Sequence, residues 1–261
     1  MPTISSRTGI AAMKDVLLAL IVRETKTRFG LKKLGLAWIF LEPLMHAIPV
    51  YMLRYYRSNN LEETYILLLT GLIPILFLNS AISKAAEAIS ANINLFSFGV
   101  VKPFDVILSR VVLEFILFTA SILFFSLIYY FIFGRVVEVA SYLFLLFLIF
   151  LLFTFALFIG IIVGMFVRVY EFISPAISYI TRVIYFSSGI FFMLQELPDS
   201  LKNFLLFSPI VQIVDLARGI MVSDYTSAGA SIGYILCCLF VLISIACITY
   251  MSLREKVLIA K

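Results

Sequence analysis

Charge is scarce in this chain. Only 13% of its 261 residues are Asp, Glu, Lys or Arg, against about 25% in an average soluble domain. Histidine and tryptophan occur once each, as His46 and Trp38, and cysteine three times, as Cys237, Cys238 and Cys247. A lone histidine rules out the H-E-x-x-H zinc site and any histidine-rich ligand set. Adjacent cysteines do not chelate one metal at the usual spacing, and neither a bilayer nor the cytoplasm favours a disulfide there. The three thiols read as small apolar packing residues, and no metal is expected. The chain also lacks a G-x-x-x-x-G-K-[ST] phosphate loop and a G-x-G-x-x-G turn ahead of a helix. With no nucleotide pocket and no cofactor of its own, it is not expected to be an enzyme. Any work against a gradient has to be driven by an ion or by another subunit.

Apolar residues are what the chain has in excess: 63% of the sequence, with a mean hydropathy of +1.11. One globular core cannot hide so many, so they must face lipid, and the chain is expected to be an all-α integral membrane protein. The apolar runs are long and unbroken, unlike the short alternating strands of a membrane barrel. Runs near 20 residues predict six transmembrane helices, over about 36–53, 65–82, 106–133, 139–167, 173–194 and 229–253. Residues 1–35, 83–105 and 195–228 are the longest pieces outside the spans. No internal repeat or soluble domain separates them, so the expected organisation is an N-terminal segment (1–35) followed by one membrane domain (36–261). The first apolar run contains Glu42–Pro43 and lacks a small-residue cleavage site, which argues against a cleaved signal peptide.

Lys and Arg in the loops set the orientation. Arg54, Arg57, Arg135, Lys202 and Arg218 fall on one side, Arg182 lies within a span, and all the others fall on the opposite side. The richer side is the cytoplasmic one, so both termini are expected there. The basic balance is then a topology signal, and no nucleic-acid partner is expected. Met13, Val16, Leu17, Leu20 and Ile21 recur at helical spacing ahead of a basic segment, which reads as an amphipathic helix on the membrane surface.

Polar groups inside spans need a reason, because each charge costs about 2.5–3.5 kcal/mol on insertion scales. Trp38, Glu42 and His46 share one helical face in the first span, where Pro43 and Pro49 disfavour a straight helix. Tyr179, Arg182 and Phe186 share a face in the fifth, with Tyr185 beside them. Two readings fit. In one, Glu42 and Arg182 pair or snorkel to the interface. In the other, the two stripes line a hydrated pathway for a polar solute such as a sugar, whose ring has an apolar face and a rim of hydroxyls. Arg110 and Glu114, four apart near a cytoplasmic helix end, are expected to pair locally. In 83–105, helix formers give way to Asn92, Asn94, Gly99 and Pro103. Leu95, Phe96 and Phe98 are expected to be exposed, on a short helix that plugs into a partner's groove. Ser208–Pro209 marks a helix start, and Gln212, Asp215 and Arg218 give that helix a polar edge, so 195–228 reads as re-entrant or interfacial helices.

Four stretches together resemble a known family: "RETKTRFGLKKLGLAWIFLEP" (23–43), "GLIPILFLNSAISKA" (71–85), "NINLFSFGVVKPFDVILSRVVLE" (92–114) and "SPIVQIVDLARGIM" (208–221). They look like the membrane subunit of ABC-2-type polysaccharide exporters, with the capsular polysaccharide export permeases of Gram-negative bacteria the nearest group. O-antigen and teichoic-acid permeases are the alternatives within that class. The resemblance implies a homodimer in the bacterial inner membrane, paired with two copies of a cytoplasmic ABC ATPase that carries the ATP and Mg. It implies a coupling helix within 83–105, with Asn92, Leu95, Phe96, Phe98, Lys102 and Pro103 at the ATPase. The N-terminal helix, through Arg23, Lys26, Arg28 and Phe29, would lie at the same interface. The first and fifth spans would line the pathway, the re-entrant helices would form the outer gate, and the substrate would be a lipid-linked polysaccharide passed to periplasmic and outer-membrane export proteins. An ion-coupled secondary transporter would need internal repeats and midplane ion ligands. A membrane-embedded glycosyl or acyl transferase would need convergent acids or bases at one depth, and only Glu42 and His46 qualify.

Overall fold

The computed structural model describes residues 10–30, 37–55, 61–222, 225–227 and 229–259, leaving out the side chains of residues 10–12, 53–55, 98 and 259. The expected start of the first span at Leu36, the centre of its outer loop (56–60) and the Phe98 side chain therefore lie outside the described residues. Among the described residues every regular element is helical. In order these are α1 (Ile10–Phe29), α2 (Trp38–Tyr55), α3 (Leu61–Leu67) and α4 (Ile73–Ala88), then α5 (Pro103–Phe133), α6 (Tyr142–Val169) and α7 (Ser174–Ser187), and finally α8 (Asp199–Leu206), α9 (Pro209–Met221) and α10 (Ile232–Ile259). A π turn over Leu68–Leu72 joins α3 to α4.

Local chemistry sets the boundaries. Pro103 opens α5 at a position where its missing N–H costs nothing, and the Asp105 carboxylate accepts the Lys102 N–H at 2.9 Å. Gly134, at φ 69°, closes α5 in the left-handed region that a side chain would disfavour. Ser141 caps α6 by accepting the Phe144 N–H at 3.3 Å. Ser208 and Pro209 start α9 where the sequence places them.

Among the described residues four helices are long and apolar enough to cross a membrane: Leu61–Ala88, Pro103–Phe133, Tyr142–Val169 and Ile232–Leu258. They coincide with the second, third, fourth and sixth expected spans. The other two depart from a plain span. Helix α2 has 18 residues and carries Pro43 and Pro49 inside it. Helix α7 has 14 residues, about 21 Å at 1.5 Å per residue, short of a hydrocarbon core of about 30 Å. The apolar run that predicts a fifth span to residue 194 breaks at Ser188–Gly189, where Gly189 turns to φ 78°. Helices α8 and α9 meet at 110°, which makes the expected interfacial region a bent pair.

Helix α4 is the hub. It packs against α5, α6 and α7, and α6 in turn holds α9 and α10. Small residues allow a close crossing of α4 and α6: a Cβ added at Gly160 would stand 2.9 Å from the Ala85 Cβ, and one at Gly164 would stand 2.7 Å from the Ala85 carbonyl oxygen. This is small-residue packing of the kind that drives helix association in lipid. Helix α1 lies on α5. Leu20 is its buried apolar residue, with Val16, Leu17 and Ile21 half-buried and Met13 exposed. By contrast α10 turns Phe240, Val241, Ile248 and Met251 outward, along with Cys237 and Cys247, while Cys238 is half-buried. The thiols thus sit mostly on an outward helix face and do little core packing. Among the described residues no cluster suited to a metal occurs.

Candidate functional site

Helices α2 and α7 bring the two polar stripes together. His46 Nδ1 and the Tyr185 hydroxyl lie 2.9 Å apart, with ring centroids 5.3 Å apart. Tyr185 also packs edge-on to Phe186 and Phe191. The rest of each stripe is open: Trp38 is 53% exposed, Tyr179 67% and Phe186 64%. Glu42 and Arg182 are exposed too, but they go to different neighbours. The Arg182 guanidinium stands 5.8 Å from the Tyr179 ring centroid, whereas Glu42 lines a cavity beside α1, α4 and α5. An open face with two charges differs in kind from the aliphatic face of α10, and lipid tails cover such a face only at high cost. Because the aromatic ladder on α7 depends on the ring more than the hydroxyl, Tyr185→Phe should keep the fold and free His46. A normal chain level in the membrane with faster hydrogen exchange in the amides of α7 is the expected result; unchanged exchange would show the bond to be dispensable.

Around the cavity that Glu42 lines, a charged network binds α1 to α4 and α5. Arg28 donates to Glu114 and, at 3.2 Å, to Glu24. Glu24 lies 3.3 Å from Arg110 Nε, and Arg110 also donates to the Lys84 carbonyl at 2.9 Å. Glu114, buried, accepts from the Ser80 hydroxyl at 2.8 Å as well. The expected local pair of Arg110 with Glu114 is therefore corrected: each bonds α1 and α4 instead. The reason is burial. Both are buried on α5, and the partners that reach them come from helices packed over that face.

The segment after α4 is a 3-10 helix, Ser90–Phe98, closed by Gly99 at φ 68°. Asn92 is buried; it donates to the Ala88 carbonyl at 2.7 Å and accepts from Arg23. Arg23 of α1 and the loop are thus joined directly. Leu95 and Phe96 are half-buried against the main apolar cluster, which corrects the expectation that they project freely. Lys102 and Pro103 serve as the entry to α5. Lys26 accepts the Gly30 N–H at 2.8 Å through its carbonyl, and Phe29 lines the same cavity as Glu42.

The polar edge of α9 is interior. Gln212, Asp215 and Arg218 are 5%, 0% and 1% exposed. Gln212 donates to the Leu206 carbonyl at 2.6 Å and accepts the Ser231 N–H at 2.9 Å. Asp215 accepts from the Tyr225 hydroxyl, and burial together with that carboxylate pushes the Tyr225 pKa well above the ordinary tyrosine value. Arg218 donates to the carbonyls of Gly189 at 2.6 Å and Phe192 at 3.1 Å, just beyond the break in α7. Sequence reasoning placed Arg218 near the polar edge of this helix and missed the carbonyls it holds, which lie 26 and 29 residues away in sequence.

Comparison with known proteins fits this architecture. Polysialic acid transport protein KpsM of Escherichia coli is 30% identical over 256 residues, 97% of this chain and 99% of that protein. Capsule polysaccharide export inner-membrane protein CtrC of Neisseria meningitidis serogroup A is 29% identical over 240 residues, 90% of this chain and 89% of its own. Inner-membrane protein BexB of Haemophilus influenzae is 25% identical over 231 residues, covering 87% and 86%. Residues 15–222, from the middle of α1 to the end of α9, match the ABC-2 type transporter model, and the chain belongs to that family.

Proposed function

We propose that this chain is the permease subunit of an ATP-driven exporter that moves a lipid-linked capsular polysaccharide from cytoplasm to periplasm. The observation that carries the reading is the end-to-end likeness to a named polysialic acid transport protein, in a chain with no nucleotide motif of its own. In this reading the chain dimerises and two copies of a separate ATPase bind its cytoplasmic face. The exposed α2 and α7 faces, with Trp38, Glu42, Tyr179, Arg182 and Phe186, turn toward a second copy and the polymer rather than toward lipid. The bent α8–α9 pair closes the outer end as a re-entrant gate. Both termini are cytoplasmic, and the outer side meets periplasmic and outer-membrane export proteins.

The contacts suggest how force travels. Movement of an ATPase against Ser90–Phe98 reaches α1 through Asn92 and Arg23, and reaches α4 and α5 through Glu24, Arg28, Arg110 and Glu114. Coupling of this kind needs two global states that ATP and polymer favour differently. Purification of the tagged chain from its native host should bring down an ATPase whose turnover rises with polymer. Leu95→Asp, which places a charge on the half-buried face of that segment, should cut export at least about tenfold while ATPase turnover continues. A chain that comes down alone and exports glycan without a companion would overturn the reading.

A further inference from the structure

A separate cavity, of about 380 Å³, lies in the half of the bundle away from the charged network that holds α1. Its walls come from α5, α6, α9 and the π turn, and among the described residues no charged side chain lines it. Thr70 is one of its few polar groups, and the Thr70 hydroxyl already donates to the Ile66 carbonyl at 2.9 Å. None of the buried polar atoms that lack a partner belongs to this lining. A trapped water needs two to four polar partners, which these walls do not offer. An apolar occupant gains dispersion contacts on every side.

The cavity opens sideways. Leu123 on α5, Val136 in the α5–α6 connection and Tyr142 at the start of α6 stand at its rim, 66%, 65% and 64% exposed. Leu69 of the π turn, Leu148 and Leu152 of α6 and Val214 of α9 are buried and make its floor. From Tyr142 to Leu152 the helix rises about 15 Å at 1.5 Å per residue, half of a hydrocarbon core of about 30 Å. The cavity thus spans the depth of one leaflet, with a tyrosine at the level where aromatic belts sit.

A protein neighbour fits poorly. A helix about 10 Å across takes up roughly 120 Å³ per residue at that rise, so the cavity would hold about three residues of one. The faces proposed to meet a second copy are on α2 and α7, which do not contribute to this lining. A narrow, flexible chain entering from the side fits both the depth and the chemistry. We propose that this cavity seats one acyl chain of a lipid from the leaflet opposite α1, wedged between the α5–α6 pair and the wall that α9 shares with the π turn. The site needs only a membrane around the chain, so it stands or falls apart from polymer export.

Depth-resolved photolabelling tests this. Two phosphatidylcholine probes carry a diazirine in one acyl chain, near its carboxyl end in one probe and near its methyl end in the other. The full chain is reconstituted with either probe into vesicles of phosphatidylglycerol and phosphatidylcholine, illuminated, and mapped by peptide mass spectrometry. The outward face of α10, with Phe240, Ile248 and Met251, is the reference for surrounding lipid. The methyl-end probe should mark the floor at Leu69, Leu152 or Val214, too buried for surrounding lipid to touch, and the carboxyl-end probe should mark Val136 and Tyr142. Ser126→Phe, which puts a ring into the cavity from α5, should lower floor labelling at least about tenfold and leave α10 labelling unchanged. Ile122→Ala, which widens the cavity, should leave the floor labelled. Label on α10 with none on the floor would give the cavity to a protein neighbour and overturn the proposal. Floor labelling by the carboxyl-end probe alone, or at the wild-type level in Ser126→Phe, would overturn it as well. The vesicles hold no ATPase and no polymer, so a negative outcome leaves the export reading intact, and a failure of export leaves this site intact.

Discussion

Gly164→Ala should leave little folded chain in the membrane, and Gly164→Leu essentially none. The added Cβ meets the Ala85 carbonyl oxygen at 2.7 Å, and a carbonyl within a helix cannot swing aside without breaking its ladder. Overpacking typically costs about 1–3 kcal/mol; against a backbone atom that cannot give way the upper end applies. Gly160→Ala meets the Ala85 Cβ at 2.9 Å instead. This difference gives a rescue test. Ala85→Gly removes the atom that Gly160→Ala strikes, and should restore that variant. It leaves the carbonyl in place, and should not restore Gly164→Ala. The fraction of tagged chain eluting as a monodisperse peak from mild detergent measures both. Equal rescue, or none in either, would show that α4 and α6 do not cross at this spacing.

The four long helices were legible because about 20 apolar residues in a row have one solution in lipid. Helix starts at Pro103 and Pro209 were legible because proline and its neighbours act locally. The fifth span was overextended because an apolar run carries no record of whether its backbone stays helical. Residues 189–193 leave the helix while remaining apolar, and the group that satisfies the Gly189 and Phe192 carbonyls is Arg218 of α9, 29 and 26 residues away in sequence. The same limit applies to the charged network. Spacing of four suggested Arg110 with Glu114, whereas the i, i+4 pair that forms is Glu24 with Arg28 on α1. Only packing reveals that α1 places its own charges over both α5 residues. The two stripes on α2 and α7 were visible as periodic polar positions, and their juxtaposition through His46 and Tyr185 needed the fold.

Arg218→Leu is the second change expected to be severe. The side chain is 1% exposed and its two terminal nitrogens hold the carbonyls of Gly189 and Phe192. Without it, those carbonyls lose their donor in surroundings with little water, and Asp215, fully buried one turn away, loses a nearby positive charge. Removing one member of a buried charged set costs about 3–5 kcal/mol. Arg218→Lys keeps the charge but replaces a planar fork with a single point donor, so it should recover only part of the loss. Gly71→Ala probes the same place from the π turn: its Cβ would lie 2.7 Å from Arg218 Nη2, and pushing the guanidinium off Gly189 should mimic a mild Arg218 defect. Hydrogen exchange separates a latch from general instability. In Arg218→Lys and Gly71→Ala, amides of residues 188–197 should exchange faster while those of α4 and α6 stay protected. Uniform loss of protection would mean that Arg218 supports the whole bundle, and wild-type protection in Arg218→Leu would mean that it supports nothing. Segment-confined loosening is the result expected if α9 and the end of α7 move as one body held by this arginine.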